Sequence, residues 1–81
     1  MDESVLLNVR QVVADIFDQP LADVSPESSP QTLPGWDSLG HLNLVVALEQ
    51  EFGLHFSPAE VERIRSVATA AWVIEARNSS R

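Results

Sequence analysis

The sequence predicts an all-α fold: a four-helix bundle with three main helices, a short third helix, and a long loop between helices one and two. Three observations predict it. Apolar residues recur at three- and four-residue spacing, the signature of a helix with one buried stripe. No segment alternates with period two and no internal repeat is visible. Residues that start and stop helices bracket the apolar segments.

The first helix runs from about Glu3 to Asp18. Val5, Leu6, Val9, Val12, Val13, Ile16 and Phe17 form its stripe, and Pro20 ends it. The stretch QPLADVSPESSPQTLPGW, Gln19 to Trp36, follows. Its four prolines, three serines and one glycine argue against regular structure. A loop of 18 residues in so small a chain points to a functional segment. Leu21, Val24 and Leu33 are its apolar residues, expected to pin it to the core.

The second helix spans Ser38 to Phe52. Either Asp37 or Ser38 can cap it, because a side-chain oxygen there accepts an unpaired backbone N–H. Gly53 suits the left-handed residue after its end. The third helix opens with SPAE: Ser57 and Glu60 form a capping box, and Pro58 takes the first helical position. Val61 and Ile64 give it a short apolar edge. The fourth runs from about Val67 to Ala76, with Ser66 as cap and Val67, Ala70, Ala71 and Ile74 facing inward. The closing NSSR reads as a frayed tail.

Eighty-one residues make one small domain with a thin core. Cysteine is absent, so neither disulfides nor a thiolate metal site stabilises it. No apolar run approaches the roughly 18 residues of a membrane span. The acidic start, MDESVLLN, is unlike a signal peptide, and a soluble cytoplasmic protein is expected. Twelve acids stand against five arginines, for a net charge of −7. That charge repels nucleic acid and anionic lipid, and either steers the protein toward basic partners or simply keeps a small protein soluble.

The second helix carries more apolar residues than one stripe needs. At roughly 100° per residue, Leu44, Val45, Leu48 and Phe52 share one arc. Leu39, Leu42 and Val46 fall roughly opposite, flanked by Asn43, Glu49 and Gln50. This second stripe either packs under the long loop or stays exposed and docks partners. A combined arrangement buries Leu42 alone. Ser38 lies at the start of the helix, angularly close to Leu42 and Glu49. A phosphate there would meet the positive end of the helix dipole.

Enzymatic readings fare poorly. A nucleophile elbow needs a glycine two residues before the serine, where Trp36 stands. A Ser38–His41 dyad has helical spacing, but no acid orients His41, which reads as a helix-edge histidine. His41 and His55 are the only histidines, without metal-ligand spacing. There is no glycine-rich phosphate loop. No catalytic residue and no metal site are assigned.

The stretch GWDSLGHLNLVVALEQEFG, Gly35 to Gly53, resembles the phosphopantetheine attachment region of acyl carrier proteins. Asp37-Ser38-Leu39 is followed at the family's distance by ALEQEFG. VERIRSVATAAWVI resembles the family's end, with Glu62 and Ile64 on a short helix and Ser66-Val67 opening the last one. The apolar first helix and the loop residues Val24 and Leu33 fit as well. The resemblance covers roughly residues 3 to 76.

It implies one carrier domain over residues 1–81, ordered from about 3 to 76 with a tail at 77–81. It implies a freestanding acyl carrier protein whose Ser38 accepts 4′-phosphopantetheine from coenzyme A. A separate magnesium-dependent phosphopantetheinyl transferase performs the attachment. The arm's thiol then holds acyl groups as thioesters and presents them to acyl-loading and acyl-processing enzymes with basic docking patches. By the same resemblance Asp37 meets the transferase. Leu39, Leu42, Val46 and Glu49 form the docking face, and Glu60 and Glu62 extend it. A monomer without nucleic-acid or membrane partners is implied. Fatty-acid carriers typically have acids two and five residues after the serine; here Gly40 and Asn43 stand there. That departure points to a dedicated carrier in a specialised pathway, polyketide-like, hydroxyacyl or another secondary one. Trp36 either anchors the loop or contacts the arm or a partner. The alternatives are a peptidyl or aminoacyl carrier, which usually has another residue in place of Asp37, and a carrier-like interaction module without a covalent arm.

Overall fold

The computed structural model describes residues 3–79, with side chains placed through residue 77. Four helices follow in order: α1 (Glu3–Ile16), α2 (Ser38–Phe52), α3 (Pro58–Arg63) and α4 (Val67–Ser79), with a single 3₁₀ turn (Leu21–Asp23) in the loop after α1. No strand occurs among the described residues. α1 packs against both α2 and α4, and α3 packs on α4. The radius of gyration, 11.4 Å, is close to the roughly 12 Å expected of a compact chain of this length.

The stripes predicted from helical spacing form the core. Val9 and Val13 of α1, Leu44 and Leu48 of α2, and Val67, Ala70, Ala71 and Ile74 of α4 are all fully buried. Ile64, just past α3, joins them. Each is an aliphatic residue on the inward face of its helix, so burial removes apolar surface without stranding a polar group.

Two helix ends differ from expectation. α1 stops at Ile16, before Pro20 acts. Asp18 takes a left-handed conformation, φ 53°. Gln19 N–H donates to the Ala14 carbonyl at 2.9 Å and Asp18 N–H to Asp15 at 3.4 Å. This pair of bonds is a Schellman motif, with aspartate in the place glycine usually takes. α2 ends on the expected left-handed Gly53, φ 65°, with the N–H groups of Gly53 and Leu54 both donating to the Glu49 carbonyl. At the other end of the chain, α4 runs on to Ser79 rather than stopping near Ala76. Arg77, expected in the tail at 77–81, reaches the His55 carbonyl and the Glu60 carboxylate, each at 2.7 Å. The rest of the expected tail, residues 80 and 81, lies outside the described residues.

The long loop is tied at both sides. Val24 and Leu33 are buried as expected, but the Leu21 side chain is exposed. What Leu21 contributes is its carbonyl. Arg10 of α1 donates from Nη2 to that oxygen at 3.2 Å and from Nε to the Val24 oxygen at 2.8 Å. On the far side, Val67 N–H donates to the Ser28 carbonyl and Ala68 N–H to the Pro26 carbonyl. These oxygens satisfy N–H groups that the first turn of α4 cannot pair internally. Ser66 and Thr69 complete that start: Thr69 N–H donates to Ser66 Oγ, and Ser66 N–H to Thr69 Oγ1. The loop thus reaches α2 along a fixed path.

Candidate functional site

The start of α2 organises the site. Asp37 has an extended backbone, and its Oδ1 accepts Gly40 N–H at 2.8 Å. Asp37 is therefore the helix cap, which resolves the choice between it and Ser38. Ser38 becomes the first helical residue. It is exposed, and its hydroxyl makes no hydrogen bond to any described residue.

Trp36 fixes the approach to this corner. It is buried, only 3% exposed; its ring stacks on Phe17 (centroids 5.5 Å apart) and lies nearly parallel to the His41 ring (6.4 Å). Its burial bears out the loop-anchor reading. The indole Nε1–H donates to His41 Nδ1 at 3.0 Å. An indole nitrogen only donates, so Nδ1 must accept and the imidazole proton sits on Nε2. Nε2–H in turn donates to the Val61 carbonyl at 3.2 Å. His41 therefore links the loop, α2 and the third helix. Both its nitrogens are engaged, so it is not placed to act as a base for Ser38.

Gly40 has a steric reason to be glycine. A Cβ there would run into the Gly35 backbone carbonyl and approach Phe17 to 2.9 Å. The loop crosses the first turn of α2 so closely that only a hydrogen fits. The acid expected two residues after the serine is thus absent for want of space. Asn43, five residues after the serine, is exposed, and nothing in its packing explains the missing acid.

The second stripe stands clear of the loop. Leu39, Leu42 and Val46 are 69%, 59% and 51% exposed. Leu42, which the combined arrangement would bury, is open like the other two. The four expected acids divide differently. Glu49 is held inside the chain: its Oε2 accepts Phe56 N–H at 2.8 Å and lies 3.7 Å from His55 Nδ1. Glu60 closes the capping box with Ser57 and pairs with Arg77 at 2.7 Å. The Ser57 backbone N–H, chiefly, and the Arg77 guanidinium hold its carboxyl below the usual range against an opposing desolvation cost. Asp37 is exposed but serves as cap, and Glu62 is exposed at the rim beside Ser38.

Beside Ser38 lies an open groove of about 830 Å³ between the loop, the start of α2 and the third helix. Trp36, Leu42, Val61 and Ile64 make its apolar walls. Asp37, Glu62 and Arg65 supply charge at its edge. Sequence reasoning missed Arg65, because the groove is made by tertiary packing and no local pattern marks its wall. Among the described residues, no three His, Cys, Asp or Glu side chains are placed to hold a metal. No helix among them is long and apolar enough to cross a membrane.

An accessible, unpartnered hydroxyl beside a groove with apolar walls fits a phosphopantetheine arm, which needs a surface attachment point and has both polar and apolar sections. The family model described as a phosphopantetheine attachment site matches residues 8–71, most of the chain and all of this corner. The chain therefore belongs to the phosphopantetheine-attachment family, as a carrier protein that bears 4′-phosphopantetheine covalently.

Proposed function

We propose that the chain is an acyl carrier protein of a specialised biosynthetic pathway, with the arm attached through Ser38 Oγ. The observation that carries this reading is the position of Ser38. It is the first residue of α2, exposed, unpartnered, and relieved of capping duty by Asp37. When bound, the arm supplies a thiol that holds an acyl group as a thioester. The protein's own residues hold and present it. Asp37 and Trp36 fix the backbone on the N-terminal side of Ser38, and the His41 bridge fixes the third helix across the groove. His41, with both nitrogens engaged, is not a base for Ser38, which supports attachment by a separate phosphopantetheinyl transferase.

The exposed stripe Leu39, Leu42 and Val46 is the docking face in this reading, with Asp37 and Glu62 as the acids open to basic partner patches. Glu49 and Glu60 support that face by bracing the turn around the third helix. The tight packing at Gly40 leaves the face poorer in acids than a fatty-acid carrier's, which favours a dedicated set of enzymes.

The test is co-expression with a broad-specificity phosphopantetheinyl transferase, followed by intact mass spectrometry. The expected result is one phosphopantetheine increment. An unmodified mass would overturn the reading.

A further inference from the structure

Arg65 has an unusual position in this acidic chain. Of the arginines with described side chains, Arg10 is spent on the Leu21 and Val24 carbonyls and Arg77 on Glu60 and the His55 carbonyl. Arg63 and Arg65 make no ion pair with any described residue. Both line a second groove, beside the exposed Trp72 on the α3–α4 face. Of the two, Arg65 also lines the groove that contains Ser38, where it is the sole cation among the described residues.

Its side chain is already oriented. The Arg65 backbone N–H donates to Thr69 Oγ1 at 2.9 Å, which fixes the turn. Its Nε donates to the Glu62 carbonyl at 3.1 Å, which fixes the guanidinium plane. The two terminal nitrogens are left without a partner among the described residues. A guanidinium fork of this kind matches the paired oxygens of a phosphate. The need for it is electrostatic. A phosphodiester on Ser38 adds a full negative charge to a rim that already carries Asp37 and Glu62, on a chain of net charge −7.

Resting on the carrier reading above, we propose that Arg65 is a positioning residue for the arm. Its terminal nitrogens donate to the phosphodiester oxygens of a phosphopantetheine on Ser38 and hold the proximal arm in the groove between α2 and the third helix. Arg63, which does not reach that groove, has no such part and serves as the internal control.

The test is ³¹P NMR of the mass-verified holo protein, folded and urea-unfolded, for wild type, Arg65→Gln, Arg65→Lys and Arg63→Gln. In wild type the phosphodiester resonance should differ between the folded and unfolded forms and relax faster when folded. Arg65→Gln should lose most of that difference, Arg65→Lys should keep part of it, and Arg63→Gln should keep all of it. Raising salt should move the wild-type resonance toward that of Arg65→Gln. Fully modified Arg65→Gln and Arg65→Lys proteins whose resonance and relaxation equal those of wild type would overturn the proposal and leave the carrier reading intact. Failure of wild type to gain the arm at all would overturn the carrier reading itself.

Discussion

The two ends of α2 use their polar residues in opposite ways. At the C-terminal end, Glu49 accepts a backbone N–H from the following turn, and beyond it Ser57, Glu60 and Arg77 close on one another. Every one of these groups has a partner, and their work is to brace the connection to α3 and α4. At the N-terminal end, Asp37 takes over capping and leaves the neighbouring Ser38 hydroxyl without a hydrogen bond among the described residues. Polar groups that hold a fold together are paired, because an unpaired one gains nothing by being held in place. A polar group presented on a rigid corner without a partner is free for one from outside. The comparison separates residues by use where residue type alone does not: Glu49 and Ser38 lie on one helix, and only one of them is available.

The largest effect expected from breaking this arrangement is at Gly40. Glycine to alanine inside a helix ordinarily stabilises by about 1 kcal/mol. Here the added methyl meets the Gly35 carbonyl and the Phe17 ring. Gly40→Ala should therefore destabilise, by about 1–3 kcal/mol, as overpacking does. Urea unfolding measures this, and a stabilised variant would mean that the loop does not press on the helix start.

Next comes the division of labour between neighbours. Asp37→Ala should cost about 1 kcal/mol, the worth of a helix cap. Ser38→Ala should change stability by less than about 0.5 kcal/mol, as for an exposed position without contacts. Thermal melts followed by circular dichroism compare the two; equal losses would return a capping role to Ser38.

A smaller effect belongs to the C-terminal end. Glu60 has its carboxyl held low in the folded state, mainly by the Ser57 backbone N–H and further by Arg77. Its contribution to stability is complete above the unfolded value near 4.5 and fades as pH falls through the lower folded value. Glu60→Gln should flatten that acid limb in a series of melts across the acidic range. The ion pair to Arg77, on the surface, is worth at most about 1 kcal/mol. An acid limb unchanged by Glu60→Gln would show that the carboxylate is not held this way.

The smallest change in stability, within about 0.5 kcal/mol, is expected for Leu39→Ser and Val46→Ser on the exposed stripe. Their effect should show instead as slower modification by the transferase, measured by the rate of holo formation. Unchanged rates would remove the stripe from that docking step.

Much of this was legible in the sequence, and the residues show why. Helical spacing exposed the core stripes, and local signals marked Gly53 and the Ser57–Glu60 box. The two stripes of α2 were visible in projection, but their fates were not. Whether Leu42 is covered depends on where the loop runs, and that is set by the Arg10 bonds and the stacking of Trp36 on Phe17, both contacts between residues far apart in sequence. The same holds for Gly40, whose spacing showed a missing acid while only the loop's path showed the missing space. Leu21 reads as a core residue by type, yet its backbone oxygen is the part in use. Arg65 carried no local mark, because its neighbours in the groove come from three separate segments.

The central claim is that Ser38 carries the arm. The most direct measurement is tandem mass spectrometry of peptides from the transferase-treated protein, with Ser38→Ala treated in parallel. The phosphopantetheine increment should fall on the peptide containing Asp37-Ser38-Leu39, localise to Ser38, and be absent from the folded variant. An increment on another residue, or one that persists in Ser38→Ala, would contradict the claim.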